Sequence, residues 1–341
     1  MEKIKIALVG CGRIAYKHFE AIENNRFYRL VAVCDVVDER AKKAAEKYKI
    51  PFFTDIETML DAITPLDLIT LCTPSGLHPQ HAMLAAKQHK HVITEKPMAC
   101  SLADAKAMIK TADQMKTKLF VVKQNRLNPT VEALKKAIDN GDFGRIYMVH
   151  SNVFWTRPQA YYDQAKWRGT WEFDGGAFMN QASHYIDLLQ YLMGPVEYVQ
   201  AMAKTLARNI EAEDTGVVNF TWRNGALGSI AMTILTYPKN LEGSITILGE
   251  YGTAKISGIA LNKIDYWDLK NNQSPDHSEA LNYQPENVYG SGHTPYYKNV
   301  ADVMLNNSKP IADGRSGMKS VELLCAIYQS VKTGNKVSLP L

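Results

Sequence analysis

Along the first third of the chain, short apolar runs alternate with stretches of helical spacing. Ile4–Val9, 28–35, 66–72, His91–Thr94 and 118–122 read as strands. Between them, Ala15–Glu23, Asp38–Tyr48, 79–88 and Leu102–Gln114 read as helices, the second of them charged and rich in alanine. Strands that are apolar on both faces and alternate with helices predict a doubly wound parallel sheet. After a further helix at 130–140 the pattern changes. The segments 145–156, 196–206, 216–223, 227–237 and 244–248 are long and alternating, and Asn224-Gly225 is a hairpin signal between two of them. They predict a large, mostly antiparallel open sheet, with a helix over 176–192 inserted after its first strand. The pattern is helical again from Pro295 through Met304 and over 316–332.

The expected fold is therefore α/β: a dinucleotide-binding domain of Rossmann type over 1–123, then an α+β domain over 124–341. The C-terminal helix is expected to pack back towards the first domain. No repeat, low-complexity stretch or Pro/Gly-rich linker interrupts the chain.

Composition narrows the classes. The 341 residues fit two domains, and 46% hydrophobic with 22% charged is ordinary globular usage rather than that of a disordered chain. No apolar run reaches the length of a bilayer span. The N-terminus lacks the order of a signal peptide, which predicts a cytoplasmic protein. A net charge of +4 with scattered basic residues is not the footprint of a nucleic-acid binder. Five cysteines, none in a CxxC pair, suggest neither a disulfide framework nor a zinc site, and no metal is expected.

The first chemistry lies in Gly10-Cys11-Gly12-Arg13-Ile14-Ala15, a G-x-G-x-x-A step between a strand and a helix. Gly10 permits the tight turn, Gly12 the approach of a pyrophosphate, and Ala15 close helix packing; Arg13 is placed to face the pyrophosphate. Asp35, ending the second strand, is placed to accept hydrogen bonds from an adenosine ribose 2′-OH. A carboxylate there repels a 2′-phosphate, so the expected cofactor is NAD.

Further along, Cys72-Thr73-Pro74 ends a strand, His78 follows, and Glu95-Lys96-Pro97 ends the next. This order behind a dinucleotide fingerprint resembles the Gfo/Idh/MocA oxidoreductase family. The resemblance runs through Arg126-Leu127-Asn128-Pro129, Trp167-Arg168, Gly175-Gly176-Ala177, His184 and Asp187, to the tail near Pro340. It implies that Lys96, at a strand end where ligands of such sheets bind, is catalytic. It also implies that Ile14, Thr73, Pro74, His78, Glu95, Lys96 and Gln124 join the glycine loop and Asp35 in holding NAD. Asn180 and His184 are four apart and share a face on the expected helix. The family's catalytic histidine matches His184, a natural general base near neutral pH. Many members carry Asp where this chain has Asn180, which cannot take a proton, so Asn180 orients or hydrogen-bonds. Asp187 is placed to orient the imidazole or to cap the packing.

The region 154–195 is similar to one subgroup, the bacterial UDP-N-acetylglucosaminuronate (UDP-GlcNAcA) 3-dehydrogenases that feed diacetamido-uronic acid synthesis for surface polysaccharide. Arg157 and Arg168 are planar forks suited to a carboxylate or diphosphate. Tyr161 and Trp155 are suited to stack on uracil or sugar. Arg157, Tyr161 and Arg168 with Lys96, Trp167, Asn180, Gln181, His184 and His293 make the expected substrate set. The implied reaction is hydride transfer from C3 of the sugar to NAD, and some members of the subgroup are thought to reoxidise NADH with 2-oxoglutarate. A homotetramer is expected, covering the outer face of the second sheet. Two alternatives stand beside this: another sugar or inositol dehydrogenase of the family, and a non-catalytic dinucleotide-bound regulator.

Overall fold

The structure is a computed structural model and describes residues 2–270, 284–285 and 287–341. The chain divides into two compact units, Met1–Lys123 with His293–Val321, and Gln124–Gly292 with Glu322–Leu341. Among the described residues no helix is long and apolar enough to cross a membrane.

In the first unit, strands β1 (Ile4–Val9), β2 (Tyr28–Cys34) and β3 (Phe52–Phe53) lie on one side of the sheet. Strands β4 (Leu68–Leu71), β5 (His91–Thr94) and β6 (Leu119–Val121) lie on the other. The order is β3-β2-β1-β4-β5-β6, and every pairing is parallel. The order reverses between β1 and β4, so the crevice for a ligand opens at the carboxyl ends of these strands. Helices α1 (Ala15–Glu23), α2 (Asp38–Tyr48), α3 (Ile56–Ala62), α4 (His78–Lys87) and α5 (Leu102–Gln114) connect them. Their starts follow local chemistry: Asp55 caps α3 through Thr58 N–H, and Ser101 caps α5 through Asp104 N–H. The β3–α3 pair carries no signal in the sequence, because two residues are too few to show a period.

The second unit begins with α6 (Pro129–Asp139), opened by proline in its first turn. Strand β7 (Ile146–Phe154) and the short helix α7 (Gln159–Tyr162) follow, then α8 (Ser183–Met193). Next come β8 (Val196–Lys204), β9 (Thr215–Trp222), β10 (Leu227–Thr233), β11 (Glu242–Gly249), β12 (Gly252–Ser257) and β13 (Lys263–Leu269). With β14 (Val337–Ser338) they form an eight-stranded sheet in the order β13-β12-β11-β7-β10-β9-β8-β14. Only the β7–β10 pair is parallel. One face is apolar: Val149, Val153, Val218, Phe220, Trp222, Ile230 and Ile245 are buried with Ile186 and Leu189 of α8. On the other face a register row sets Leu248, Met148 and Leu227 side by side, all exposed. Gly225, at φ +86, makes the expected Asn224-Gly225 hairpin.

Two differences from the sequence reading matter for the site. The expected helix over 176–192 begins only at Ser183; residues 177–182 form successive turns. The second domain was expected to run unbroken from 124 to 341, but residues 293–321 group with the first unit. Helix α9 (His293–Asn306) is tied there by Tyr297, whose hydroxyl meets Thr70 at 2.9 Å and His18 at 2.8 Å. Helix α10 (Gly314–Thr333) contributes residues to both units.

Candidate active site

In the first unit the candidate residues gather at the carboxyl ends of the parallel strands. Gly10 follows β1 at φ +93, and a Cβ there would lie 2.7 Å from the Cys72 carbonyl. At Gly12 a Cβ would meet nothing within 4 Å, so the protein's own packing does not require that glycine. The opening fits a pyrophosphate, as does the start of α1, which has no side-chain cap and no acid in its first turn. Ala15 is buried, Ile14 half-buried and Arg13 exposed. Asp35 accepts Cys11 N–H at 2.7 Å and Val37 N–H at 2.8 Å, so its carboxylate braces the loop. Among the described residues the cysteines form no disulfide. Burial first, with Asp35 adding to it, pushes the Cys11 thiol up to about 12, so it stays protonated.

Thr73 and Pro74 follow β4, and His78 is buried beneath them. Both ring nitrogens of His78 meet backbone carbonyls at 2.9 Å, those of Thr73 and Pro97. Its side chain therefore ties the Thr73 turn to the Lys96-Pro97 turn, rather than offering a polar atom to a cofactor as expected. The Lys96–Pro97 peptide bond is cis.

Glu95 is buried behind Lys96. Its Oε2 accepts Lys96 N–H at 3.0 Å; its Oε1 meets His18 Nε2 at 2.9 Å and stands 3.6 Å from His293 Nε2. Burial alone raises this carboxyl, but the hydrogen-bonded His18 and the nearby His293 outweigh it and hold it well below the usual carboxylate range. Burial first lowers the His293 imidazole below its ordinary value. His293, expected among the substrate residues, is thus buried beside Glu95 and His18. The ligating atoms of these three lie within 4.8 Å of one another, a grouping of metal-donor types that the sequence spacing does not reveal. The chain His18–Tyr297–Thr70 continues the same set inward.

In the second unit, Gln124 is buried, and its Oε1 has no hydrogen-bond partner among the described residues, an acceptor suited to a cofactor amide. Arg126 makes a two-pronged pair with Asp187 of α8, at 2.9 and 2.7 Å, and its guanidinium lies over the Tyr191 ring. The Asp187 carboxylate, expected to orient His184 or cap the packing, accepts both of these bonds from Arg126. Asn180 lies in the turns before α8 and not on the helix with His184. Its Nδ2 donates to Asp174 Oδ1 at 2.6 Å. His184 is half-buried in the first turn of α8, and Gln181 is buried just ahead of it.

Arg157, Tyr161, Trp167 and Arg168 lie in one stacked group. Both guanidiniums lie over the Tyr161 ring, at 5.6 Å for Arg157 and 4.3 Å for Arg168. Arg157 also lies over Trp155, and Arg168 over Trp167. Arg157 Nη1 donates to its neighbour's carbonyl, Thr156 O. Arg168 Nε is buried without a partner among the described residues. Two guanidiniums stacked on one ring are suited to an anionic ligand.

Two family models match. "Oxidoreductase family, NAD-binding Rossmann fold" covers residues 4–123, and "Oxidoreductase family, C-terminal alpha/beta domain" covers 135–339. The chain belongs to the Gfo/Idh/MocA oxidoreductase family. Among members of solved structure, the WlbA dehydrogenase from Bordetella pertussis, in complex with NADH and UDP-GlcNAcA, is 52% identical with a TM-score of 0.95; the match covers 100% of this chain and 99% of that one. The WlbA dehydrogenase from Chromobacterium violaceum, solved with the same two ligands, is 53% identical with a TM-score of 0.92, over 100% and 97% of the two chains. A D-apiose dehydrogenase from Paraburkholderia graminis is 24% identical over 99% of this chain and 90% of its own length.

For this Gfo/Idh/MocA chain, sequence reasoning missed His18, Glu213 and Asp174. His18 had a signal of sorts: it lies in α1 between apolar positions that face the sheet. Glu213 and Asp174 lie in segments without a period, and only the fold shows what they hold.

Proposed function

We propose that the chain oxidises the C3 hydroxyl of UDP-GlcNAcA to the 3-keto sugar with NAD. The observation that carries this is the match at 52% and 53% identity, along the whole chain, to two dehydrogenases solved with NADH and UDP-GlcNAcA. The paired arginines on Tyr161 add a clamp of the right charge for a sugar carboxylate or a diphosphate.

In this reading the glycine loop and Asp35 hold the dinucleotide, and Gln124 adds its acceptor. Bound there, NAD would supply the hydride acceptor for C3. His184 removes the hydroxyl proton, and the Lys96 ammonium hydrogen-bonds the same oxygen and stabilises the charge developing on it. Asn180 orients by hydrogen bond. The products are the ketone, NADH and a proton on His184. The protein works in the cytoplasm as a homotetramer assembled through the outer face of the eight-stranded sheet, where the Leu248, Met148 and Leu227 row supports association. Its product feeds diacetamido-uronic acid for surface polysaccharide, and 2-oxoglutarate reoxidises the bound NADH.

The test is to add UDP-GlcNAcA and NAD to the purified protein and follow NADH absorbance. Turnover supports the reading, and a single turnover restored to many by 2-oxoglutarate supports recycling. No NADH from UDP-GlcNAcA, with NADH from a free sugar or inositol, moves the chain to another specificity within its family. NAD binding without oxidation of any of these marks a regulator.

A further inference from the structure

We propose that Glu213 is a positioning residue for this reaction: with Tyr328 it fixes the turn that carries Asn180 to the start of the His184 helix. The inference rests on the reading above. Glu213 is buried in the second unit, just ahead of β9. Its backbone carbonyl accepts Ala177 N–H at 3.1 Å. Its Oε1 accepts Phe178 N–H at 2.8 Å and the Tyr328 hydroxyl at 3.0 Å. That hydroxyl in turn accepts Met179 N–H at 3.1 Å. Three consecutive amides that no regular element satisfies are thus taken up by one residue and its partner.

The approach is so close that only glycine fits at 176, where a Cβ would fall 1.6 Å from Glu213 Oε2. The turn then passes its order on. Asn180 N–H donates to Gly176 O at 2.9 Å, and Asn180 Nδ2 to Asp174 Oδ1, whose Oδ2 accepts Gly169 N–H at 2.8 Å. Ser183 Oγ donates to Asn180 O at 2.8 Å, at the first residue of α8. Glu213 Oε2 is buried with no partner among the described residues. Burial accordingly pushes this carboxyl up to about 7, the adjacent Asp214 carboxylate adding to it, so the neutral acid is well populated near neutral pH. Phe178 N–H and the Tyr328 hydroxyl need only an acceptor oxygen at this place, which an amide also supplies.

The test compares Glu213→Ala, Glu213→Gln and Tyr328→Phe with the wild type by kcat on UDP-GlcNAcA, NADH binding by fluorescence, and amide hydrogen exchange of residues 177–179. Glu213→Ala should lower kcat about 10²-fold, the scale of a small misplacement of a catalytic group, with NADH affinity within about twofold of wild type. Glu213→Gln, which keeps the acceptor, should recover kcat to within about threefold, and Tyr328→Phe, which removes only a hydroxyl, should lose about tenfold. Exchange at 177–179 should speed about tenfold or more in the Ala and Phe variants but not in the Gln variant. A Gln variant as slow as the Ala variant, or an Ala variant that exchanges faster yet turns over normally, overturns the proposal. If the wild type does not oxidise UDP-GlcNAcA, the functional reading falls; exchange then decides the brace by itself, and unchanged rates in the Ala and Phe variants overturn it.

Discussion

The Asp35 carboxylate accepts the Cys11 backbone N–H at 2.7 Å, so the acid expected to read the cofactor ribose also pins the glycine loop. Its other oxygen takes Val37 N–H. Asp35→Ala loses both bonds and any bond to the ribose, and the KM for NAD should rise roughly tenfold or more, given about 1.5–3 kcal/mol for a hydrogen bond to a charged group. Asp35→Asn should rescue little, because its amide nitrogen must face one of two N–H donors. Steady-state kinetics with NAD and NADP check both points. An Asn variant with the wild-type KM, or a wild type that uses NADP as readily as NAD, removes the carboxylate argument.

Lys96 follows a carboxylate that holds its backbone from behind, Glu95 Oε2 on Lys96 N–H. Lys96→Met keeps most of the apolar stem, one atom shorter, and has no charge. It should lower kcat on the order of 10²–10⁴-fold while the affinity for UDP-GlcNAcA changes far less. Binding measured by calorimetry beside single-turnover kinetics separates the two. A variant that binds the sugar poorly but turns over normally places Lys96 in ground-state binding.

The parts legible in the sequence were those with a period or a fixed spacing. The apolar runs gave the parallel sheet, the Gly10-to-Ala15 step with Asp35 gave the dinucleotide end, and Asn224-Gly225 gave a hairpin. The cluster of Arg157, Tyr161, Trp167 and Arg168 was legible because its members are close in sequence. What was not legible depends on contacts across long separations. His293 reads as a site residue because it stands in a polar loop before a helix, yet it is buried against His18 and Glu95, some 200 or more positions earlier. Asn180 reads as helical because its four-residue spacing to His184 fits a helix. The turns at 177–182 prevail because Glu213 and Tyr328 capture the amides of 177–179. The strands β12 and β13 carry too much polar and aromatic surface to stand out as runs.

Glu213 also predicts a pH dependence of stability. In the folded protein its carboxyl titrates at about 7, against an ordinary value of 4.5. The fold therefore binds the proton more tightly than the unfolded chain does. That contribution is complete below the ordinary value and is lost as pH rises through about 7, an amount on the order of 3 kcal/mol. Glu213→Gln has no such proton to lose. Chemical denaturation at pH 5 and pH 8 should show the Gln variant gaining on the wild type at the higher pH. Parallel changes in the two proteins mean that Glu213 is ionised throughout.

The Arg126–Asp187 pair is buried on both sides and doubly hydrogen-bonded. Removing one partner strands the other charge away from water. Asp187→Ala should cost about 3–5 kcal/mol of stability. Asp187→Asn should cost less, since the amide oxygen still accepts one of the two bonds. Thermal melts of the purified variants check this. An Ala variant that melts with the wild type means that water reaches Arg126 and the pair is not the anchor of α8.

Arg157 carries the substrate assignment most directly. A sugar with a C6 carboxylate and a diphosphate needs at least two cationic clamps in a closed site. Arg157 and Arg168 are both stacked on Tyr161, and Arg157 is further steadied by the Trp155 ring and by its bond to Thr156 O. Stacking restricts the guanidinium before any ligand arrives, so less ordering entropy opposes binding. Arg157→Ala should weaken UDP-GlcNAcA binding by roughly 2–5 kcal/mol, the cost of truncating one partner of a desolvated charge pair. NADH affinity should hardly change. Arg157→Lys should recover only part of the loss, because an ammonium neither stacks flat on Tyr161 nor makes a two-pronged contact. Calorimetric titration of each variant with UDP-GlcNAcA, and of the wild type with UDP-GlcNAc, gives the answer. If the wild type binds and oxidises UDP-GlcNAc as well as the acid, no carboxylate clamp operates. The substrate is then a neutral nucleotide sugar or a free polyol, and the arginine pair serves the diphosphate or no ligand at all.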